Sequence, residues 1–491
     1  MAVDPQGRLI VSPQIAGLPS TNPVPPTLFR LTIDNGKVSH VEKIQKGISE
    51  PQGMLYAFDS LYVNGNGPEG LGIYRLRRRG SDDFEDPQLL RPVPYAGEHG
   101  SHSLVLGPDK KIYIASGNYI DHAQLEPNKI SSASPFQHFG EDQLLPSFAD
   151  AQGIPEGSAT SPRGTIARMN ASGGEFEIFC GETRNIYDIA FKEDGELFGF
   201  DNDHETDWGT PWYRPCLLYH LVSGADYGYR EGSGKLPDYL EDILPAVKKL
   251  SIGAPTGMKF ATGTKFPKNY RTALFMCEWN FGRIFAAHLH PNGSGYICDV
   301  ETVVHGTPLN VTDIEVTPDG SMYFITGGHN TRSTLYRLDY TNQVETISPA
   351  ESQASKSEVA NLRSIRHELE TFHGNRDSSA INAAWPFLSH SDREIRYAAR
   401  VAVESQPVRK WKERALNETN PVAALPALVA LARVGGKDVQ PTLLQSISKF
   451  PFASLSTNEA LLKLRALELS FIRQGRQTAD IASRVAADLS P

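Results

Sequence analysis

Apolar and polar residues alternate with period two along much of the chain, on either side of turns built from Pro, Asp and Gly. The pattern recurs as "AVDPQGRLIV" from Ala2, "LVLGPDKKIYIAS" from Leu104, "IAFKEDGELFGF" from Ile189 and "IEVTPDGSMYFIT" from Ile314. Two looser copies start at Gln52 ("QGMLYAFDSLYVN") and Thr256 ("TGMKFATGTKFPKNYRTALFMCEW"). Alternation around such a turn signals a β-hairpin with one face of each strand buried. Each copy is followed by a second apolar segment: "TLFRLTIDNG" from Thr27, "GIYRLRRRG" from Gly72, "TIARMNASGG" from Thr165, "LLYHLVSG" from Leu217, "RIFAAHLHPNG" from Arg283 and "TLYRLDYTN" from Thr334. Six pairs give a unit of about 57 residues, longer than the roughly 40–50 of a four-stranded propeller blade. The pattern predicts a mainly β fold over 1–341, a six-bladed β-propeller with loop insertions. A β-sandwich poorly explains a paired signature that recurs six times. The largest insertion, 118–163, is rich in Pro, Ser, Gly and Ala, and long loops on a rigid scaffold are where binding concentrates.

Past Tyr340 the pattern changes. The polar, aromatic-free "TNQVETISPAESQASKSEVAN" predicts a linker over 342–358. Beyond it the period becomes helical, with Val359, Leu362, Ile365, Leu369 and Phe372 on one face. After Asp392 come Ile395, Ala398, Ala399 and Ala402, small enough for helices to pack closely. "PVAALPALVALARVGG" and "STNEALLKLRALELSFIRQG" continue the pattern, the latter opening with a capping box at Ser456 and Glu459. Residues 359–491 therefore read as a smaller all-α region of HEAT-like stacked helix pairs, a spacer or docking surface.

Composition narrows the function classes. Hydrophobic residues make up 40% of the 491, and mean hydropathy is −0.35. No apolar run approaches the roughly 18 residues of a transmembrane helix. Net charge is −9 with no basic tract, which argues against nucleic-acid binding. "RLRRRG" at 75–80 is followed at once by "SDDFED", a charge-balanced solvated loop. Cys180, Cys216, Cys277 and Cys298 are scattered, with neither a CxxC zinc pair nor a CxxCH haem motif. "MAVDPQGRLIVS" shows no signal peptide in this chain.

Three stretches carry candidate chemistry. In "GEHGSHSLVLGPD" (97–109), His99 lies five residues before the apolar run at 104–106, on the loop entering a strand. It reads as a structural turn residue, a catalytic base or, with His102 and the neighbouring Glu, a metal ligand. "ETRNIYDIAF" places Arg184 and Asn185 just ahead of a strand, as a turn device or as a fork for a ligand's oxygens. "DNDHETD" sets Asp201, Asp203, Glu205 and Asp207 at alternate positions, either a cation site of hard oxygen ligands or a solvated acidic turn.

Together these motifs resemble the soluble quinoprotein glucose/sorbosone dehydrogenases, six-bladed propellers that bind PQQ and calcium. "HGSHSLVLGPD" is similar to that family's base-His strand, "RNIYDIAF" to its "RNxxGLAF" motif, "DYGYR" at 226–230 to its "NYGWP", and "TDIEVTPDGSMYFIT" to its last signature. A closer resemblance, through "FGEDQLLP", "GTPWYRP", "FDSLYVNGNG" and "DREIRYAARVA", is to planctomycete-type PVC dehydrogenase/haem-binding proteins. These join such a propeller to HEAT-like repeats and a cytochrome c domain. The resemblance implies an exported, periplasmic oxidoreductase acting on a sugar or other polyol. His99 would be the base, and Arg184, Asn185, His102, Tyr187 and Asp188 would hold cofactor or substrate. Asp201, Asp203, Glu205 and Asp207 would hold calcium, and a cytochrome would take the electrons. It also implies that the first Met lies inside a longer reading frame. The chain departs from the family where PQQ is held. "MCEWNFGR" has no Lys, and "PLNVTDI" has Asn310 and Thr312 near the expected arginines. Two other readings stand beside this one, a non-catalytic module binding carbohydrate or a protein, and a calcium-dependent lactonase.

Overall fold

The computed structural model describes residues 1–13, 27–94, 98–120, 135–142, 162–202, 210, 212–230, 234–329, 331–340, 353–476 and 478–489. Their strands form six antiparallel sheets in chain order. The first strand of each sheet lies beside that of the next, and the sixth closes on the first, so the sheets ring a central channel. This is a six-bladed β-propeller followed by a helical region. All six second-signature segments form the third strand of a blade: Leu28–Asp34, Gly70–Arg79, Thr165–Met169, Leu217–Leu221, Arg283–Asn292 and Thr334–Leu338.

The hairpin turns show why the repeat carries its residues. Gly7, Gly195 and Gly320 hold left-handed φ of 79°, 89° and 81°, and Lys110, at the matching turn position of the copy from Leu104, adopts the same region at 62°. Between blades 4 and 5, Phe198, Phe200 and Leu218 pack on Met258, Leu274, Met276 and Phe285. The second strand of blade 4, Leu197–Asp201, is buried along its length because both faces of a blade meet neighbours. The central channel has a volume of about 770 Å³.

The long helices are α1 (Gln353–Glu370), α2 (Arg393–Glu404), α3 (Pro421–Val434) and α4 (Thr457–Gln474). α1 begins at Gln353, inside the stretch read as linker, since a polar segment without an apolar period gives no sign of its own helicity. The capping box at Ser456 and Glu459 is present. α3 is apolar almost throughout and lies at the centre of the helical core with Leu388, Ile395, Leu443 and Leu469. Among the described residues no helix is long and apolar enough to cross a membrane. The four cysteines are buried and form no disulfide with one another.

The helical region is docked on blade 4 and the segment after it. Tyr397 of α2 accepts a hydrogen bond from Asp226 N (2.8 Å) and donates to Gly224 O (3.2 Å). Arg393 donates to the carbonyls of Asp238, Leu240 and Ile243 at 2.7–2.8 Å. Arg366 of α1 reaches both carboxylate oxygens of Glu196 at 2.6 Å. Gly224, at φ 72°, permits this approach, because a Cβ there would stand 2.8 Å from Val401 and 2.9 Å from His373.

Candidate active site

A propeller gathers at one end of its channel the loops that enter each first strand and those that leave each second strand. At that end His99 precedes the first strand of blade 3 (Ser101–Leu106), and Asn118 follows its second (Ile112–Ser116). Arg184–Asp188 lead into the first strand of blade 4, and Asp201 ends its second. Backbone bonds fix these loops to one another: Gly117 N to Gly100 O at 2.7 Å, Asn118 N to Arg184 O at 2.8 Å and Tyr119 N to His99 O at 3.2 Å. Gly117 is needed for the closeness of the loops, since a Cβ would sit 2.6 Å from both Asn185 Oδ1 and His99 O.

The structure brings together His99, His102, Arg184, Asn185, Tyr187 and Asp201 from the sequence candidates. Asp188 faces the channel, where its oxygens accept Ile189 N and Met258 N at 2.8 Å and so tie blade 4 to blade 5. Burial raises its pKa to about 6 against those amides. Asp201 accepts the backbone amides of Arg184 (3.0 Å) and Asn185 (2.7 Å), which holds the Arg-Asn pair in place. Asp203, Glu205 and Asp207 lie outside the described residues.

The two histidines are opposites in proton placement. His99 is 2% exposed, and its Nδ1 lies 2.5 Å from Asn118 Oδ1. The same amide turns its Nδ2 to the Tyr229 hydroxyl at 3.1 Å. Nδ1 of His99 therefore carries the proton and Nε2 keeps its lone pair, with no hydrogen-bond partner among the described residues. The ring packs on Tyr119 at 4.6 Å between centroids. Burial holds the His99 pKa well below 6.5, and the Arg184 charge adds to this against the Asn118 bond. His102 points Nε2 at Asn185 Oδ1 (2.8 Å), and Asn185 Nδ2 donates to Glu98 O (3.0 Å), so here Nε2 carries the proton. Its Nδ1 is enclosed without a partner among the described residues, its ring lies 4.7 Å from Tyr187, and burial lowers its pKa to about 4. The Nε2 lone pair of His99 thus stays open to accept a proton, while His102 spends its Nε2 proton on Asn185.

Sequence reading missed Asn118 and Tyr229 as partners of His99. Tyr229 lay within the "DYGYR" match, but its 111-residue separation from Asn118 leaves no local signal.

A tricarboxylate quinone needs several cations with donors to give. At the mouth, Arg163 donates to Asn118 O (2.7 Å), Arg283 pairs with the buried Glu278 (3.0 Å), and Arg184 Nη1 reaches Asn202 O (3.5 Å). Asn310 donates to Trp279 O and Thr312 to Ile325 O, both at 3.1 Å. Lys259 pairs with Glu315 at 2.8 Å. No cluster of three or more His, Cys, Asp or Glu side chains suited to a metal occurs among the described residues. The described cations do not form the donor set that a tricarboxylate such as PQQ needs.

No protein-family model matches the sequence, and no curated protein matches it. Solved structures do. The chain is similar to the PQQ-bound form of an aldose sugar dehydrogenase from Streptomyces coelicolor, with 16% identity over 68% of this chain and 92% of that one, at a TM-score of 0.46. It is similar to a glucose dehydrogenase, with 17% identity over 66% and 95% and a TM-score of 0.42. For the holo form of the pyranose dehydrogenase PQQ domain from Coprinopsis cinerea the values are 12%, 66%, 88% and 0.43.

Proposed function

We propose that the protein is an oxidoreductase that dehydrogenates a hydroxyl group of a sugar or other polyol at the mouth of the propeller channel. The observation that carries the reading is His99, its Nδ1 held by Asn118 and its Nε2 without a hydrogen-bond partner among the described residues. His99 Nε2 would take the hydroxyl proton, and a bound two-electron acceptor of quinone or similar class would supply the chemistry that removes hydride from the carbinol carbon and leaves a carbonyl. Asn185, held by His102 and Glu98 O, offers a polar amide to the remaining hydroxyls. Because the described cations do not fit a tricarboxylate, the acceptor in this reading carries less charge than PQQ. Onward transfer to a cytochrome and a periplasmic location follow from the sequence resemblance and belong to the same proposal.

The test is dye-linked oxidation of a sugar and polyol panel by the full chain, with PQQ and calcium, with uncharged quinones, and with neither. Turnover that His99→Ala abolishes while sugar binding persists supports the reading. Absence of turnover with every acceptor, alongside sugar binding unaffected by His99→Ala, favours the second reading, a non-catalytic carbohydrate-binding module. One observation supports that alternative: Trp212 and Tyr213 are 62% and 65% exposed, and aromatic faces of this kind stack on sugar rings. A calcium-dependent lactonase needs a carboxylate cluster, and Asp201 already serves two backbone amides.

A further inference from the structure

Two groups of buried charges join the propeller to the helices, and one of them continues inward to His99. Asp142, from the short described part of the 118–163 insertion, is 2% exposed. It accepts Arg230 Nε at 2.8 Å and pairs with Arg465 of α4, while Arg433 of α3 stands 3.9 Å away. Both helix arginines also bind Asp242, Arg465 through Nε at 3.0 Å. Arg230 is 1% exposed, grips Asp226 through both terminal nitrogens (3.1 and 2.7 Å), and donates to the carbonyl of Tyr229 at 2.8 Å.

From Arg230 two routes converge on Asn118. The first is direct, because the hydroxyl of Tyr229 accepts the Asn118 amide. In the second, Glu182 stands 3.5 Å from Arg230 Nη1, and its backbone carbonyl accepts Tyr229 N at 2.9 Å. Glu182 N in turn donates to Arg163 O at 2.7 Å, and Arg163 Nη1 donates to Asn118 O at 2.7 Å. Glu182 sits at φ 59°, a backbone conformation that costs energy for a residue other than glycine and persists only where its surroundings impose it. Asn118 is thus held at both its side chain and its backbone by groups that Arg230 anchors.

We infer that the helical region is part of the catalytic apparatus, with Arg465, Asp142 and Arg230 acting as positioning residues that fix Asn118 and through it the Nδ1–H tautomer of His99. The inference rests on the reading of His99 as the base, but it concerns the proton on the ring and can be tested without turnover. Asp142 is where it is most exposed to failure. The described residues around it, 135–142, carry no strand of the ring, and its carboxylate is oriented jointly by one propeller arginine and one helix arginine. Removing either partner leaves a buried charge underpaired and frees Arg230 to shift.

The experiment uses the full chain labelled with ¹⁵N-histidine, in which the ring nitrogen shifts of His99 report the tautomer. Asp142→Asn, Arg465→Lys and Tyr229→Phe are compared with the parent, and fold is followed by circular dichroism. The expected result is that all three lose the pure Nδ1–H signature and populate Nε2–H. In a turnover assay kcat falls about tenfold to a hundredfold, as for a base displaced by a fraction of an ångström. KM stays within about twofold, because substrate contacts are untouched. Arg465→Lys keeps the charge and loses only the fork, so it decides the matter if Asp142→Asn does not fold. A folded Arg465→Lys or Asp142→Asn with the parent's His99 signature overturns the inference, whether or not Tyr229→Phe changes it. A changed signature in a protein that oxidises no sugar would leave the coupling of the helical region to the His99 tautomer standing and count against the proposed function alone.

Discussion

Asn118 Oδ1 stands 2.5 Å from His99 Nδ1, and that contact decides which ring nitrogen can act as a base. An amide oxygen accepts a proton's hydrogen bond without favouring imidazolium as a carboxylate would. Replacing Asn118 with Asp puts a negative charge beside the ring and raises the His99 pKa by about 1 to 3 units. The acidic limb of kcat/KM against pH then moves to higher pH by that amount, with the alkaline plateau preserved. A limb that stays in place would separate His99 from the proton transfer.

Gly117→Ala tests the closeness of the two loops. Its Cβ would meet Asn185 Oδ1 and His99 O, each at 2.6 Å. The expected outcome is a stability loss of about 1–3 kcal/mol from overpacking, measured by urea unfolding. A drop in kcat/KM of about a hundredfold should accompany it, because the base is displaced.

The docking of the helical region depends on pH with a definite sign. His220 lies 2.7 Å from Glu196 and 3.2 Å from Glu394 of α2. Burial alone would lower its pKa, but Glu394 and Glu196 hold it at about 9. The folded pKa is above the unfolded value, so this stabilisation is complete below pH 6.5 and is lost as pH rises from 6.5 through about 9. It is on the order of 3 kcal/mol, from about 1.36 kcal/mol per unit. His220→Gln should flatten the fall in unfolding free energy across that window.

The site histidines act in the other direction. His102, at about 4 when folded, binds fewer protons than the unfolded chain between pH 6.5 and 4, so it lowers stability as pH falls through that range. His99, lowered in the same sense, adds to the loss. Stability measured from pH 4 to 9 should therefore peak near neutrality. A protein lacking both His99 and His102 should lose much of the acidic slope.

Arg366→Ala leaves Glu196 buried beside His220 without the Nη2 that spans both its oxygens. Breaking such a pair from one side costs about 3–5 kcal/mol. Scanning calorimetry should then show the helical region leaving the propeller in a separate transition below the main one.

Much of the architecture was legible because it is local. Strand-turn-strand pairs write their period and their turn residues into about a dozen consecutive positions. Both signatures therefore fell on the strands they predicted, down to Lys110 at a position where other copies carry glycine. The α2 face of Ile395, Ala398, Ala399 and Ala402 is buried as its spacing implied. What the pattern did not reveal is that Arg393, Arg396, Tyr397 and Arg400, on its polar side, also face protein and not solvent. A charged helix face reads the same whether water or a carboxylate covers it. The site divides in the same way. His99, Arg184 and Asn185 stand out by their place ahead of a strand, whereas Asn118–Tyr229 and Asp142–Arg465 pair across 111 and 323 residues. Only the folded ring brings them together.

The proton on His99 is the most direct test of the account. Titration of its ring nitrogens by ¹⁵N NMR in the full chain should show a neutral ring with the proton on Nδ1, persisting well below pH 6.5. A ring protonated on Nε2, or one that titrates at or above 6.5, would contradict it.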